Sequence, residues 1–222
     1  MSSKILLVGA TGLVGQGVLK VLLQASPVCQ VTVLVRRPFP VEHPRIRVMQ
    51  IPDFSTSFLE QLDLSGIDAC FYCAGPLPVL LSESTYRAAT VGVLEHVAAA
   101  YAKSNPHGYL IYISGMGANP GSRWMPLRVK GLAEATLCRF GLAFTCLRPG
   151  VIRPTQGERS PHPVRRVLYM LSAPALALAE RLMPGVITST DAVGRCMVQL
   201  TQAPMPHPPI VENRQINELA SK

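Results

Sequence analysis

The sequence has few charged residues, few aromatic residues and no long apolar segment. Charged residues make up 15% of its 222 positions and aromatic residues 6%, while hydrophobic residues reach 48%. This balance argues against a disordered chain and allows a large core. No apolar stretch approaches the roughly 18–20 residues of a membrane span, because the longest, Val167–Ala179, is short and contains Pro174. We therefore expect no association with a membrane.

Signals for secretion and for nucleic-acid binding are also missing. An apolar run begins at Lys4, which leaves no room for a signal peptide, so we expect a cytoplasmic protein. The net charge of +8 favours anionic ligands. No zinc-finger spacing, basic helix or RNA-binding motif accompanies that charge, and we expect no nucleic-acid partner.

Cysteine is present at six scattered positions, several of them in apolar runs. This usage predicts reduced, buried thiols. Cys70 and Cys73 have the CxxC spacing of redox pairs, but they fall within a predicted strand and would point to opposite faces of it. We therefore predict neither a redox nor a metal site.

A glycine-rich turn follows the first apolar run. Lys4–Val8 predicts a buried strand, Gly9–Gly15 follows at once, and a helical period comes next. A dinucleotide-binding motif requires this context, in which Gly9 allows a tight turn, Gly12 lets a phosphate approach and Gly15 lets the helix pack closely. The alternative is a plain strand-to-helix turn that happens to hold glycines.

Strands alternate with helices through the next hundred or so residues. This alternation predicts an α/β fold with a doubly wound parallel sheet of the Rossmann type. Helices are predicted over Phe58–Leu64, from Ser82 or Ser84 to Lys103, and over Pro126–Phe140. The further predicted strands are Val31–Val35, Arg47–Ile51, Asp68–Cys73, Tyr109–Ile113 and Ala143–Leu147.

The alternation breaks down after Ile152. We predict a single domain over residues 1–222, in which residues from about 153 to 222 form a small C-terminal lobe on the substrate side. Its predicted elements are an apolar helical region over Val164–Met183, a helix from Asp191 to about Gln202, an edge strand over Pro208–Glu212 and a terminal helix over Asn213–Ala220.

Two of the predicted strands end in residues that suit a dinucleotide. Arg36 and Arg37 follow the second strand, where an acidic residue would bind the ribose 2′-hydroxyl of NAD. Arginine instead pairs with the 2′-phosphate of NADP, so NADP(H) is preferred over NAD(H). Asp53 follows the third strand, where it either accepts a hydrogen bond from adenine or serves a turn.

In their order along the chain, these motifs resemble those of the atypical short-chain dehydrogenases/reductases. The closest likeness is to the NmrA-like and Tat-interacting-protein-like oxidoreductase branch. The motifs that carry it are Gly9–Gly15, Arg36-Arg37, Asp53-Phe54, Ala74-Gly75, Tyr112–Ser114 and Arg148–Val151.

The resemblance implies a bound nicotinamide dinucleotide and a place for each of its parts. Its implied contacts are Gly9, Thr11, Gly12, Leu13 and Val14 at the pyrophosphate, Arg36 and Arg37 at the 2′-phosphate, Asp53 and Phe54 at the adenine, Ala74 and Gly75 near the adenosine ribose, and Pro149, Gly150 and Val151 near the nicotinamide.

Catalysis in this family uses a serine after the fifth strand and a Tyr-x-x-x-Lys helix. Ser114 and Lys130 match these positions, and the resemblance implies that Lys130 also binds the cofactor ribose. The tyrosine position is Pro126, which has no proton to give but fits the first turn of a helix. A tyrosine from elsewhere, such as Tyr86 or Tyr169, is a candidate substitute.

Two functions follow from this mixture of matches and departures. The first is an NADP(H)-binding oxidoreductase-like protein that acts on an unknown small carbonyl or alcohol through Ser114 and Lys130. The second is a non-catalytic NADP(H)-sensing module that acts through a protein partner, and the loss of the tyrosine at Pro126 favours it.

Overall fold

The computed structural model describes residues 3–26, 28–79, 81–155, 157–158, 182–204 and 206–222. The strands in these residues are β1 (Ser3–Val8), β2 (Val28–Val35), β3 (Ile46–Gln50), β4 (Ala69–Tyr72), β5 (Tyr109–Ile113), β6 (Ala143–Arg148), β7 (Val151–Arg153), β8 (Ile187–Ser189) and β9 (Ile210–Glu212).

Seven of these strands form one sheet, in the order β3-β2-β1-β4-β5-β6-β9. Every neighbouring pair in it is parallel, and β7 pairs with β8 in a separate two-stranded parallel sheet. The order reverses at β1, and ligands bind at such a switch point in open α/β sheets. The predicted Rossmann-type fold is therefore confirmed.

The helices that cover this sheet largely match the predicted ones. They are α1 (Leu13–Gln24), α2 (Thr56–Leu59), α3 (Glu83–Arg87), α4 (Val93–Ser104), α5 (Met125–Leu137), α6 (Thr190–Gln202) and α7 (Asn213–Ala220).

Two helix predictions were wrong in detail. The second helix is shorter than predicted, because the chain turns through i→i−3 hydrogen bonds at Gln61 and Leu62. The predicted continuous helix from Ser82 begins as expected, with the Ser82 hydroxyl accepting from the Thr85 N–H at 3.2 Å. It is then interrupted by a π-helical turn, Ala88–Gly92, between α3 and α4.

The sheet buries side chains on both faces, as its continuous apolar strands predict. In β1, Ile5 and Leu7 pack on one face with residues of α1, α6 and α7, while Leu6 and Val8 pack on the other with residues of α4 and α5. Successive side chains of a strand point to opposite faces, so a strand covered on both sides must be apolar throughout.

The C-terminal residues rejoin the main fold. The predicted edge strand and terminal helix are confirmed as β9, which pairs with β6, and as α7. Val193 and Ile216 place α6 and α7 in the same core as α1. The predicted helical region Val164–Met183 lies outside the described residues except for its last two positions, and the substrate-side lobe stays a prediction.

The prediction that all six cysteines are buried was wrong at two positions. Cys29 and Cys138 are exposed, because Cys29 lies near the start of β2 and Cys138 caps the end of α5, both at the margin of the core.

Among the described residues, no helix is long and apolar enough to cross a membrane.

Arg148, at the end of β6, ties three elements together. Its guanidinium donates to both carboxylate oxygens of Glu134 in α5, at 2.9 and 2.6 Å, and to Glu212 in β9 at 3.1 Å. The Arg148 and Glu134 side chains are only 18% and 11% exposed. A bidentate ion pair between two mostly buried side chains fixes α5 against the sheet. This matters for the site, because α5 carries Lys130.

We predict that Arg148→Met lowers the free energy of unfolding by about 2–3 kcal/mol, because it leaves the Glu134 carboxylate partly buried without its partner. The matched control is Arg139→Met, which removes an ion pair whose arginine is 69% exposed. That control should cost less than about 1 kcal/mol. Urea unfolding of both variants measures the difference, and equal losses would contradict the prediction.

Candidate functional site

The turn between β1 and α1 presses the backbone against the end of β4. Gly9 has a φ of +91°, and a side chain there would place its Cβ 2.6 Å from the Ala74 nitrogen. The Gly12 N–H donates to the Gly9 carbonyl at 3.0 Å, and a Cβ on Gly15 would overlap that same carbonyl. The turn therefore requires glycine at Gly9 and Gly15 for close packing.

The first turn of α1 suits an anion. Gly12 is its N-cap without a capping side chain, and no acidic residue lies in the first turn. The first N–H groups of a helix, here those from Leu13 onward, have no partner within the helix and carry partial positive charge. This cradle, free of side-chain bulk at Gly12, fits the pyrophosphate of a dinucleotide.

The two arginines predicted to select NADP lie beside the predicted adenine contact. Arg36 and Arg37 are exposed at the end of β2, and the Arg36 guanidinium lies 5.8 Å from the centre of the Phe54 ring. The Phe54 carbonyl is within hydrogen-bond distance of His96 Nδ1, at 2.9 Å, so His96 supports the backbone at Phe54. Arg36 therefore lies over the half-buried Phe54 ring, and Arg37 follows it along the chain.

Asp53 makes the local contact that the sequence left open. Its Oδ1 accepts the Ser55 N–H at 2.7 Å, in the turn that leads into α2. The hydrogen bonds from Ser55 hold the pKa of the Asp53 carboxyl below its usual value. The turn role is thus present, and a contact between Asp53 and adenine stays a prediction.

Lys130 reaches from α5 to the end of β5. Its ammonium donates to the Tyr112 hydroxyl at 3.1 Å and to the Ile113 carbonyl at 2.9 Å. It would also lie 3.9 Å from a Cβ placed on Gly75, so the predicted ribose contacts Ala74 and Gly75 are its neighbours. An ammonium has three N–H donors, and these two bonds leave one for a ligand.

The surroundings of Lys130 make it a weaker base than an exposed lysine. Burial lowers the pKa of Lys130 to about 8, although the Glu134 carboxylate acts in the opposite direction. Because the charged form is disfavoured by desolvation, the ammonium loses its proton as the pH rises through about 8. Lys130 is therefore suited to exchange a proton, unlike a solvated lysine on a helix surface.

Ser114 lies at the end of β5, on the same face of that strand as Tyr112. It is 6% exposed, and its N–H donates to the Leu147 carbonyl at 2.8 Å. Its hydroxyl is buried and has no hydrogen-bond partner among the described residues. A buried hydroxyl without a partner costs free energy, so this group fits a site that a ligand oxygen completes.

No tyrosine among the described residues replaces the missing one. Pro126 occupies the first turn of α5, as predicted, and helix formation survives there. Tyr86 is only 2% exposed, and Tyr169 lies outside the described residues. Tyr112 contacts Lys130 but is fully buried, and burial raises the pKa of its hydroxyl well above the usual value.

The predicted nicotinamide segment is held by an asparagine pair that the sequence did not reveal. The Asn213 side chain accepts the Gly150 N–H at 2.9 Å and donates to the Ile187 carbonyl at 3.0 Å. Asn217 donates to the same carbonyl at 2.8 Å. The segment Pro149–Val151 is thereby fixed to α7 and β8.

The CxxC pair has no sign of redox chemistry. Cys70 and Cys73 face opposite sides of the sheet, as predicted. Burial raises the pKa of the Cys73 thiol to about 12 and that of the Cys70 thiol still further. Thiolates at such positions are scarce at neutral pH, so these cysteines are core residues.

The structure gathers the predicted site residues along one edge of the sheet. Gly9 contacts Ala74, Gly75 adjoins Lys130, and the Met116 N–H after Ser114 donates to the Pro149 carbonyl at 2.9 Å. The roles of these residues stay predictions. Sequence reasoning quoted Tyr112 within a motif but gave it no role at the site, although a period of two from Ser114 puts it on the same face.

Comparison with known proteins agrees with a dinucleotide-binding fold. Residues 9–168 match the family described as NAD(P)H-binding. The leucinostatins biosynthesis cluster protein T of Purpureocillium lilacinum is 31% identical over 130 residues, which are 57% of this chain and 48% of that protein. The chain thus matches about half the length of that relative. The mitochondrial protein FMP52 of Candida albicans is 26% identical over 159 residues, 69% of this chain and 67% of that protein.

Solved structures share the fold at low sequence identity. The Bordetella bronchiseptica enzyme WbmH, in complex with NAD⁺, has a TM-score of 0.66 at 17% identity, over 91% of this chain and 73% of that one. A wide-type short-chain dehydrogenase/reductase of Veillonella parvula, in complex with NADP, has a TM-score of 0.61 at 16% identity, over 91% and 88%. These likenesses show the fold.

We predict that Tyr112→Phe lowers the pKa of Lys130 below its present value of about 8, because the ammonium loses a hydrogen-bond acceptor that favours its charged form. Tyr72→Phe is the matched control, since Tyr72 pairs with Tyr112 across the strands and its buried hydroxyl has no partner among the described residues. Lysine side-chain NMR, assigned with Lys130→Arg, measures both titrations. Identical Lys130 titrations in the two variants would refute the contact.

Proposed function

Since this chain belongs to the NAD(P)H-binding family and resembles the atypical short-chain dehydrogenases/reductases, we propose that it interconverts a small carbonyl compound and its alcohol with NADP(H). The observation that carries this proposal is the juxtaposition of an unpartnered Ser114 hydroxyl and the Lys130 ammonium at the end of β5. Lys130 adjoins Gly75, whose neighbour Ala74 contacts the glycine turn at Gly9.

The cofactor would lie along the carboxyl ends of the strands. The N–H groups at the start of α1, with Gly9, Thr11 and Gly12, would hold the pyrophosphate. The Arg36–Phe54 surface favours NADP(H) over NAD(H), since a guanidinium at that place pairs with a 2′-phosphate. Ala74 and Gly75 would line the adenosine ribose, and Pro149–Val151 the nicotinamide.

Ser114 and Lys130 would act on the substrate oxygen. Bound NADPH supplies a hydride to the carbonyl carbon, and one proton on the oxygen completes the alcohol and leaves NADP⁺. The Ser114 hydroxyl would donate a hydrogen bond that strengthens as negative charge grows on that oxygen. Lys130, with one N–H left, would supply the proton and recover it from solvent. This assignment gives Lys130 the role that Pro126 cannot fill.

The second candidate function is a non-catalytic NADP(H) sensor that signals through a protein partner. The observation that favours it is Pro126, because the tyrosine that normally moves the proton is absent from α5. The two candidates share the cofactor site and differ in whether bound NADPH is consumed by any carbonyl compound. Loss of NADPH absorbance in a stopped-flow mixture with a carbonyl panel separates them.

We also propose a cytoplasmic location, which the reduced state of the cysteines supports. One relative, from Candida albicans, is described as mitochondrial. Fractionation of cells that express the tagged chain tests the location. Recovery of the chain with mitochondria would contradict the cytoplasmic proposal.

We predict that NADPH raises the melting temperature more than NADH does. A ligand at one hundred times its dissociation constant stabilises the native state by about 2.7 kcal/mol. Replacing Arg36 and Arg37 together with alanine should erase the difference between the two cofactors. The control Arg47→Ala should preserve it, because Arg47 lies near the start of β3, at the opposite edge of the sheet from the two arginines. Equal shifts for both cofactors in the unmodified protein would contradict the preference for NADP(H).

We predict that the reduction rate falls as the pH rises through about 8, because Lys130 then loses the proton it donates. Lys130→Met should abolish this dependence together with most of the activity, and the control Lys103→Met, at an exposed position of α4, should change neither. Ser114→Ala should lower kcat by about a hundredfold. A wild-type rate that is flat between pH 7 and 9 would rule out Lys130 as the donor.

A further inference from the structure

Exposed large apolar side chains gather in three segments near Ser114. The described residues contain ten exposed large hydrophobic side chains, and five of them belong to segments that meet beside Ser114 and the predicted nicotinamide segment. We name these five the apolar rim: Met116, Val151, Leu182, Met183 and Val186. Soluble proteins seldom cluster exposed apolar residues unless the patch binds something.

From this rim we infer that the substrate is an uncharged, apolar carbonyl compound that lies against Met116, Val151 and Val186 with its oxygen at Ser114. The inference rests on the proposed function, since it places the substrate at the same Ser114 and Lys130. It narrows that function from any small carbonyl to one chemical class.

The rim is continuous with the proposed reaction site. The Met116 N–H donates to the Pro149 carbonyl, and the Met116 methyl lies 2.9 Å from a Cβ placed on Gly150. The Val151 N–H donates to the Val186 carbonyl at 2.9 Å, and the Val186 N–H donates to the Met183 carbonyl at 2.9 Å. These contacts join three chain segments into one surface that begins two residues after Ser114.

Charge is absent from the segments that form this surface. No Asp, Glu, Lys, Arg or His occurs in residues 114–122, 149–152 or 182–187, although the chain has a net charge of +8. Arg123 and Arg214 flank the rim, with the Arg214 guanidinium 4.0 Å from a Cβ placed on Gly185. The part of the same sheet edge where the adenosine end of the cofactor is proposed to bind is charged instead, since Arg36 and Arg37 are exposed there.

This distribution separates charged from uncharged substrates. A carboxylate placed against Met116, Val151 and Val186 would lose water without gaining a partner in these uncharged segments, which is costly, and would reach a cation only at the margin, where Arg214 lies. An apolar group at the same place would gain by leaving water. Lys130 does not offset that cost, because its ammonium is already bonded to Tyr112 and Ile113 and its free N–H is needed at the carbonyl oxygen.

The direct test compares two probe aldehydes of similar size, 4-methylbenzaldehyde and 4-carboxybenzaldehyde, with NADPH. We expect kcat/KM to be at least about tenfold higher for the methyl compound, since the carboxylate is left unpaired. Equal values, or a preference for the carboxylate, would overturn the inference and leave the proposed reductase intact.

A binding measurement covers the case in which neither aldehyde is reduced, which would count against the proposed function. Isothermal titration calorimetry with unreactive amide probes measures binding at the rim without any turnover. With NADP⁺ present, 4-methylbenzamide should bind at least about tenfold more tightly than 4-carbamoylbenzoate. Equal or reversed affinities, or no binding of either probe, would overturn the inference on its own.

A matched pair of variants tests whether the preference for the methyl probe depends on the apolar rim. Val186→Lys adds a cation at a position that is 39% exposed, and Val48→Lys adds one to β3 at a position that is 44% exposed. Val186→Lys should narrow the preference for the methyl probe at least threefold, and Val48→Lys should leave it unchanged. The same response in both variants would overturn the inference. So would a fall in molecular mass of Val186→Lys on size exclusion, because a second copy would then be the occupant.

Discussion

The close approach of Gly9 to the backbone at Ala74 is the constraint from which the site follows. No side chain fits between these two strand ends, so the chain turns tightly and α1 starts beside β4. The first turn of α1 thus lies at the carboxyl edge of the sheet, where Arg36 and Gly75 also lie. One packing contact brings this turn beside Ala74, whose neighbour Gly75 adjoins Lys130.

At the end of the site where the reaction is proposed, two residues of the family's catalytic pattern are present and one is absent. Ser114 keeps a buried hydroxyl that lacks a partner among the described residues, and Lys130 keeps its place over the end of β5. Pro126 removes the usual proton donor, and Tyr112 does not replace it because it is fully buried. Under the proposed function, the lowered pKa of Lys130 would let the lysine itself supply the proton, with no change in the fold.

Much of this could be predicted from the sequence, because strands and helices of an α/β sheet leave strong local patterns. Lys4–Val8 and the glycines after it fixed the first strand, the turn and the helix, and Tyr109–Ile113 led to Ser114. Contacts between distant segments left no such pattern. The bond from Gly150 to Asn213 spans 63 residues, and the exposure of Cys29 depends on where a strand leaves the core.

The central claim is that one sheet edge holds NADP(H) with its reacting end at Ser114 and Lys130. A crystal structure of the complex with NADP⁺ tests it most directly. The account predicts the pyrophosphate on the first N–H groups of α1, the 2′-phosphate at Arg36 and the nicotinamide between Gly75 and Pro149–Val151, within reach of Ser114. A bound cofactor whose nicotinamide lies away from Ser114 and Lys130 would contradict it.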